Sequence, residues 1–101
     1  MKKSFFRVKI DKDPGLTLFQ KKVLKTVLDI PEGKVRSYSW VAEKAGSSGA
    51  CRAVGQALGK NPYAPHVPCH RVILADGTIG GYSEGIKKKR QLLEKEGIRC
   101  V

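Results

Sequence analysis

The chain has 101 residues, 41% of them hydrophobic, and a formal net charge of +11. That is enough for one domain around one modest core. No run reaches the apolar length of a membrane span, and "MKKSFFRVKI" lacks the features of a secretory leader, so a monomeric cytoplasmic protein without a membrane partner is expected, nuclear if the cell has a nucleus. Three cysteines, none at zinc-knuckle spacing, and two histidines predict reduced thiols, with no disulfide framework, metal or cofactor.

In chain order, the first ten residues alternate weakly and read as a strand or a loose arm, extending to about residue 14 of a single 1–101 domain. Thr17 with Gln20 three residues on is a capping-box signature. Leu16, Phe19, Val23, Leu24, Val27 and Leu28 then recur at helical spacing until Pro31 and Gly33 stop the helix. Ser37 is an N-cap for a second helix with Trp40, Val41 and Ala45 on one face and Gly46 at its end. After the turn "GSSG", Ser48 is placed to cap a third helix, in which Ala50, Ala53, Val54, Ala57 and Leu58 form the apolar side. Two short helices joined by a glycine-containing turn read as a helix-turn-helix, with an ordinary helical hairpin as the alternative.

The outer face of that third helix carries Arg52, Gly55, Gln56 and Gly59. Each glycine costs roughly 1 kcal/mol relative to alanine, which makes sense if something must approach the backbone closely: a groove wall, or a neighbouring helix. From Gly33 to Val72 the basic residues are Lys34, Arg36, Lys44, Arg52, Lys60 and Arg71, against the single acid Glu43. Such a surface suits a polyanion, nucleic acid first among them. "RVILADGTIGGYSEG" reads as a small hairpin or wing turning at Asp76-Gly77. "IKKKRQLLEKEG" is a basic amphipathic helix with Ile86, Arg90, Leu92 and Leu93 on one side and Gly97 as its stop. The sum is a mainly α, winged helix-turn-helix-like domain with a small β element near the loop "NPYAPHVPCHRVI".

Within that loop Cys69 lies between Pro68 and His70. A free thiol is only a few per cent thiolate at neutral pH, and a histidine that takes its proton raises the reactive fraction. Adjacent side chains diverge, so a bridging water is the natural link. A carboxylate on the far imidazole nitrogen would come from Glu84, Glu94 or Glu96. The alternative is a packed cysteine beside a satisfied core histidine. Cys51 and Cys100 lack such neighbours and read as structural.

"VPCHRV", "RAVGQALGKNP", "GYSEG" and "LLEKEG" together resemble the active-site signature, recognition helix with asparagine hinge, pocket loop and final helix of the O6-alkylguanine-DNA alkyltransferases, the methylated-DNA–protein-cysteine methyltransferases. The resemblance runs from about Gly15 to Gly97 and covers their C-terminal catalytic domain. It implies double-stranded DNA containing O6-alkylguanine as partner and Cys69 as alkyl acceptor. His70 would act through a water as its base, and Glu96 would orient His70. Asn61 would link recognition helix to active-site loop, Arg52 would fill the stack where the base leaves it, and Tyr38 would press on the adjoining phosphate. Gly55 and Gln56 would lie against the minor groove. Leu58, Tyr82 and Ser83 would line the pocket, and Tyr82 would help protonate the leaving base. The O6 atom is stacked within a duplex, so the nucleotide must be flipped out for an in-line attack. The resulting thioether is not reversed, so each chain acts once.

Two departures stand out. The resemblance includes no counterpart of the N-terminal domain of many relatives, with any zinc site in it, and Glu84 stands where many have a small residue, usually glycine. The same resemblance admits an alkyltransferase-like protein that flags the lesion for another pathway; those proteins typically carry tryptophan at the position of Cys69. A winged-helix DNA-binding regulator would explain the helix-turn-helix and the charge but not "PCHR".

Overall fold

The computed structural model describes residues 2–63, 66–82 and 84–99. Helix α1 (Lys2–Asp11) is followed by α2 (Leu18–Leu28), a two-residue strand β1 (Arg36–Ser37), α3 (Tyr38–Lys44) and α4 (Cys51–Gly59). A 3-10 turn (Cys69–Arg71), strand β2 (Val72–Ile73) and α5 (Ile86–Lys95) complete the chain.

Helix α2 is the centre of the molecule. Thr17 caps it with the expected reciprocal pair, its hydroxyl accepting from Gln20 N–H while the Gln20 side chain accepts from Thr17 N–H. Val23, Leu24, Val27 and Leu28 are buried along one side. They pack with Val41 and Ala42 of α3, Val54, Ala57 and Leu58 of α4, and with Val67, Cys69 and Val72 from the cysteine loop. Burying each such valine or leucine contributes roughly 1.5–3 kcal/mol. The site therefore rests directly on the main core. A second, smaller cluster of Ile73, Ile79 and Leu93 anchors α5.

The first ten residues are a helix, not a strand or arm. Phe6, Val8 and Ile10 suggested an alternation, but Val8 is 51% exposed while Ile10 is fully buried, so the spacing that counts is the four-residue step from Phe6 to Ile10. Arg7 pairs with Asp29 at 2.6 Å and Lys25 with Asp11 at 2.7 Å, which sets α1 against α2.

Three further expectations change. Ser48 does not cap α4; the N-cap is Ala50, without a side-chain bond, because the turn through Gly49 (φ +86°) uses two more residues. The wing is not a hairpin: β2 pairs in parallel with β1 (Arg36 with Val72, Ser37 with Ile73). Among the described residues the expected turn at Asp76-Gly77 is closed by Leu74 N–H to Thr78 C=O and Gly77 N–H to Leu74 C=O, at 3.0 Å each, without a paired return strand. On α5, Ile86 is 51% exposed, and the fully buried long side chain is Lys89. Its Nζ donates to the carbonyls of Val72 at 2.7 Å, Ile79 at 2.5 Å and Gly81 at 3.0 Å. An ammonium can be buried there because the carbonyls that close the wing replace water.

Candidate active site

Cys69 opens the 3-10 turn and is 3% exposed. It forms part of the wall of a cavity of about 790 Å³. Tyr38 and Leu58 line the cavity beside it, Tyr82 and Gly81 come from the wing loop, and Arg52, Gly55 and Gln56 come from the outer face of α4. Of the residues singled out in the sequence for pocket and DNA contacts, the fold thus brings Tyr38, Arg52, Gly55, Gln56, Leu58 and Tyr82 to one opening. Ser83 lies outside the described residues, as does Cys100. Cys51 also lines the cavity, half-buried and free, so it has a place at the site that its lack of neighbours in sequence did not suggest.

Asn61 sits behind the cavity and is buried. Its Nδ2 donates to Val67 C=O at 2.9 Å and its Oδ1 accepts from Tyr63 N–H at 2.9 Å, bridging both ends of the loop that follows α4. The other side of that loop is held by the N-terminal segment: Tyr63 OH donates to Asp13 Oδ2 at 2.7 Å, and His66 stacks on Phe6 with centroids 4.9 Å apart.

His70 is 3% exposed and its Nε2 lies 2.8 Å from Glu96 Oε2, which selects Glu96 from the three candidate carboxylates. Glu96 is held by more than His70. Arg71 Nε and Nη2 donate to its two oxygens at 2.9 Å each, and Gly33 N–H donates to Oε1 at 3.1 Å. Arg71 Nη1 donates to Ile30 C=O at 2.8 Å, so this arginine is turned inward. Burial alone would raise the Glu96 carboxyl, but the bonds from Arg71, His70 and Gly33 outweigh it and bring it down to about 2. Burial keeps His70 below the ordinary imidazole value against the pull of Glu96. Because Glu96 is ionised and can only accept, Nε2 must carry the proton of a neutral ring, and Nδ1 is left as a bare lone pair. Nδ1 is also the buried side-chain polar atom without a hydrogen-bond partner among the described residues.

Burial pushes the Cys69 thiol up, and the Asn61 amide, the Lys89 ammonium and the Tyr82 hydroxyl each offset part of the rise. Tyr82 is pushed up as well, by burial first and then by Cys69 and Glu84. Tyr38 OH donates to Gly81 C=O at 3.4 Å, and its ring lies 5.8 Å from Lys89 Nζ. Gly80 has φ +70°, and a Cβ there would stand 3.1 Å from the Tyr38 hydroxyl, so this glycine lets Tyr38 reach the wing. Arg71, Gly33 and Lys89 are the supporting residues that sequence reasoning missed. Arg71 was legible only as part of the charge count, and Lys89 was hidden in a run of basic residues.

The 6-O-methylguanine DNA methyltransferase, DNA binding domain, family model matches residues 18–98. The methylated-DNA–protein-cysteine methyltransferase of Mycobacterium tuberculosis H37Rv is 54% identical over 84 residues, 83% of this chain and 51% of that protein. The crystal structure of Mycobacterium tuberculosis OGT in complex with DNA superposes with a TM-score of 0.78 at 54% identity, covering 80% of this chain and 50% of that one. Schizosaccharomyces pombe Atl1, in complex with damaged DNA containing O6-carboxymethylguanine, gives a TM-score of 0.72 at 40% identity, covering 80% of this chain and 77% of that one. The chain spans about half the length of the curated relatives it matches. A thiol on the wall of a cavity bordered by a glycine-bearing helix and backed by a histidine–glutamate pair is thus found in a chain that belongs to the 6-O-methylguanine DNA methyltransferase family.

Proposed function

We propose that the protein repairs DNA by moving an alkyl group from O6 of guanine to Cys69 in a single turnover. The observation that carries this reading is the oriented His70: a neutral imidazole whose bare Nδ1 faces away from Glu96 and has no other described partner. A water between Nδ1 and the thiol takes the thiol proton to the ring. The thiolate attacks the alkyl carbon, the S–C bond forms as the C–O6 bond breaks, and the electron pair goes to the base. Tyr82 hands a proton to the departing base, so guanine leaves neutral, and its hydroxyl recovers a proton from solvent. The products are a thioether and guanine in DNA.

The target nucleotide enters the cavity only when flipped out of the stack, at a cost of a few kcal/mol. Arg52, exposed on α4 and lining the cavity, fills the vacated stack in this reading, with Gly55 and Gln56 against the minor groove. Tyr38 turns the phosphate of the flipped nucleotide, and Asn61 keeps α4 and the cysteine loop in register. A second reading has one specific support: the likeness to Atl1 in complex with damaged DNA containing O6-carboxymethylguanine. In that reading the chain flags the lesion without transfer. The thiol at position 69 favours repair.

Incubation with duplex containing O6-methylguanine should place one methyl per chain on the Cys69 peptide by mass spectrometry, and Cys69→Ala should bind the duplex and gain none. Methylation at Cys51, or tight binding with no transfer, would reject the repair assignment.

A further inference from the structure

Tyr82 faces two ways. Its ring lines the cavity that contains Cys69, while its hydroxyl donates to Glu84 Oε2 at 3.4 Å. Gly85 N–H donates to Tyr82 C=O at 3.0 Å, which ties the backbone after Glu84 to the tyrosine. Glu84 is exposed and lies outside the cavity lining, its carboxylate one hydroxyl away from the space in which a substituent must sit to meet the thiol. An exposed glutamate usually does no more than solvate a surface. The bond to a cavity-lining hydroxyl separates Glu84 from that case. The cations nearby, Arg52 on the cavity wall and Lys89 beside Tyr38, act on every substituent and remain in any Glu84 variant.

Building on the alkyl-transfer reading, we propose that Glu84 makes the pocket selective by charge, disfavouring O6 substituents that carry a carboxylate relative to neutral ones of the same size. The chemistry is direct. A negative group brought to within about 6–8 Å of a fixed carboxylate, in surroundings between protein surface and water, is disfavoured on the order of tenfold. Size alone would act on both substituents equally.

The test compares duplexes containing O6-carboxymethylguanine and O6-carbamoylmethylguanine, which match in heavy atoms and differ in charge. Single-turnover transfer rates give the acid-to-amide ratio for the wild type, Glu84→Gln and Glu84→Asp. Duplex affinities give the same ratio in the Cys69→Ala background. Glu84→Gln should shift both ratios toward the acid on the order of tenfold, and Glu84→Asp, which keeps the charge, should restore most of the wild-type preference. Equal ratios in wild type and Glu84→Gln would overturn the proposal, as would a Glu84→Asp ratio matching Gln. Absence of transfer from either duplex counts against repair alone; the affinity ratio then decides for or against charge selection by itself.

Discussion

At His70 the direction of each proton follows from the charge on Glu96. Arg71 and Gly33 hold that carboxylate ionised whether or not the imidazole is present, so His70 is kept as a base of fixed tautomer. If the ring relays the thiol proton, His70→Ala should slow transfer by roughly 10²–10⁴-fold with little change in duplex affinity. The wild-type rate should fall on the acid side as the ring becomes charged, with an apparent midpoint below 6.5, since burial lowers the His70 value. A rate profile flat to pH 5, or a wild-type rate in the alanine variant, would show that the thiolate forms without this ring. Stability should follow the same pair. The Glu96 carboxyl is held down from 4.5 to about 2 in the folded chain, so it contributes stability above pH 4.5 that is lost progressively as pH drops toward 2. His70 acts in the same direction, because a lowered folded value means its contribution is present above 6.5 and disappears below. Urea melts of wild type and Glu96→Gln should therefore converge as the pH is lowered, and a constant gap between them would contradict the linkage.

Helix α4 presents its apolar side to α2 and leaves Arg52, Gly55, Gln56 and Gly59 exposed. Nothing lies within 4 Å of a Cβ built on Gly55, so no internal packing explains the glycine. Gly55→Leu should melt at or slightly above wild type, by up to about 1 kcal/mol. It should bind duplex more weakly and repair it more slowly, while reacting near-normally with free O6-benzylguanine. Unchanged duplex affinity in the folded variant would show that α4 does not lie against DNA. The helices were largely legible because their signals are local: the Thr17–Gln20 box, Ser37 as cap, and the period of the apolar residues on α2 and α4. The β pairing and α1 were not. Parallel partners sit far apart in sequence, and the first ten residues satisfy a two-residue and a four-residue period equally until packing against α2 decides. The same contrast holds in the site. Cys69, His70 and Glu96 follow from a motif, whereas Lys89 is defined by three backbone carbonyls that only the folded wing brings together.

Over the whole molecule the net charge is +11, and one basic residue of the Gly33–Val72 stretch is turned inward. Arg71 is committed to Glu96 and Ile30, which leaves Lys34, Arg36, Lys44, Arg52 and Lys60 from the basic stretch for phosphates. Arg36 and Lys44 flank the Trp40 ring at 5.3 and 5.8 Å, which stiffens two of the five at the start of the helix-turn-helix. With about five phosphate contacts, undamaged duplex should be bound with a log–log salt slope near −4.5 and lose roughly 500-fold in affinity between 50 and 200 mM salt. A slope near zero would remove electrostatics as the source of binding.

The two-residue ladder between β1 and β2 joins positions 36 residues apart, and α3, α4 and the cysteine turn all lie inside the loop it closes. Closing a loop of that length costs entropy that two parallel residue pairs repay only when the enclosed helices are already packed on α2. In kinetic terms the clasp belongs late in folding. The clasp also holds Tyr38, which follows β1, and the wing residues Gly81 and Tyr82, which follow β2, around the cavity that Cys69 lines. Closing the ladder and completing the surroundings of Cys69 are thus linked in the topology.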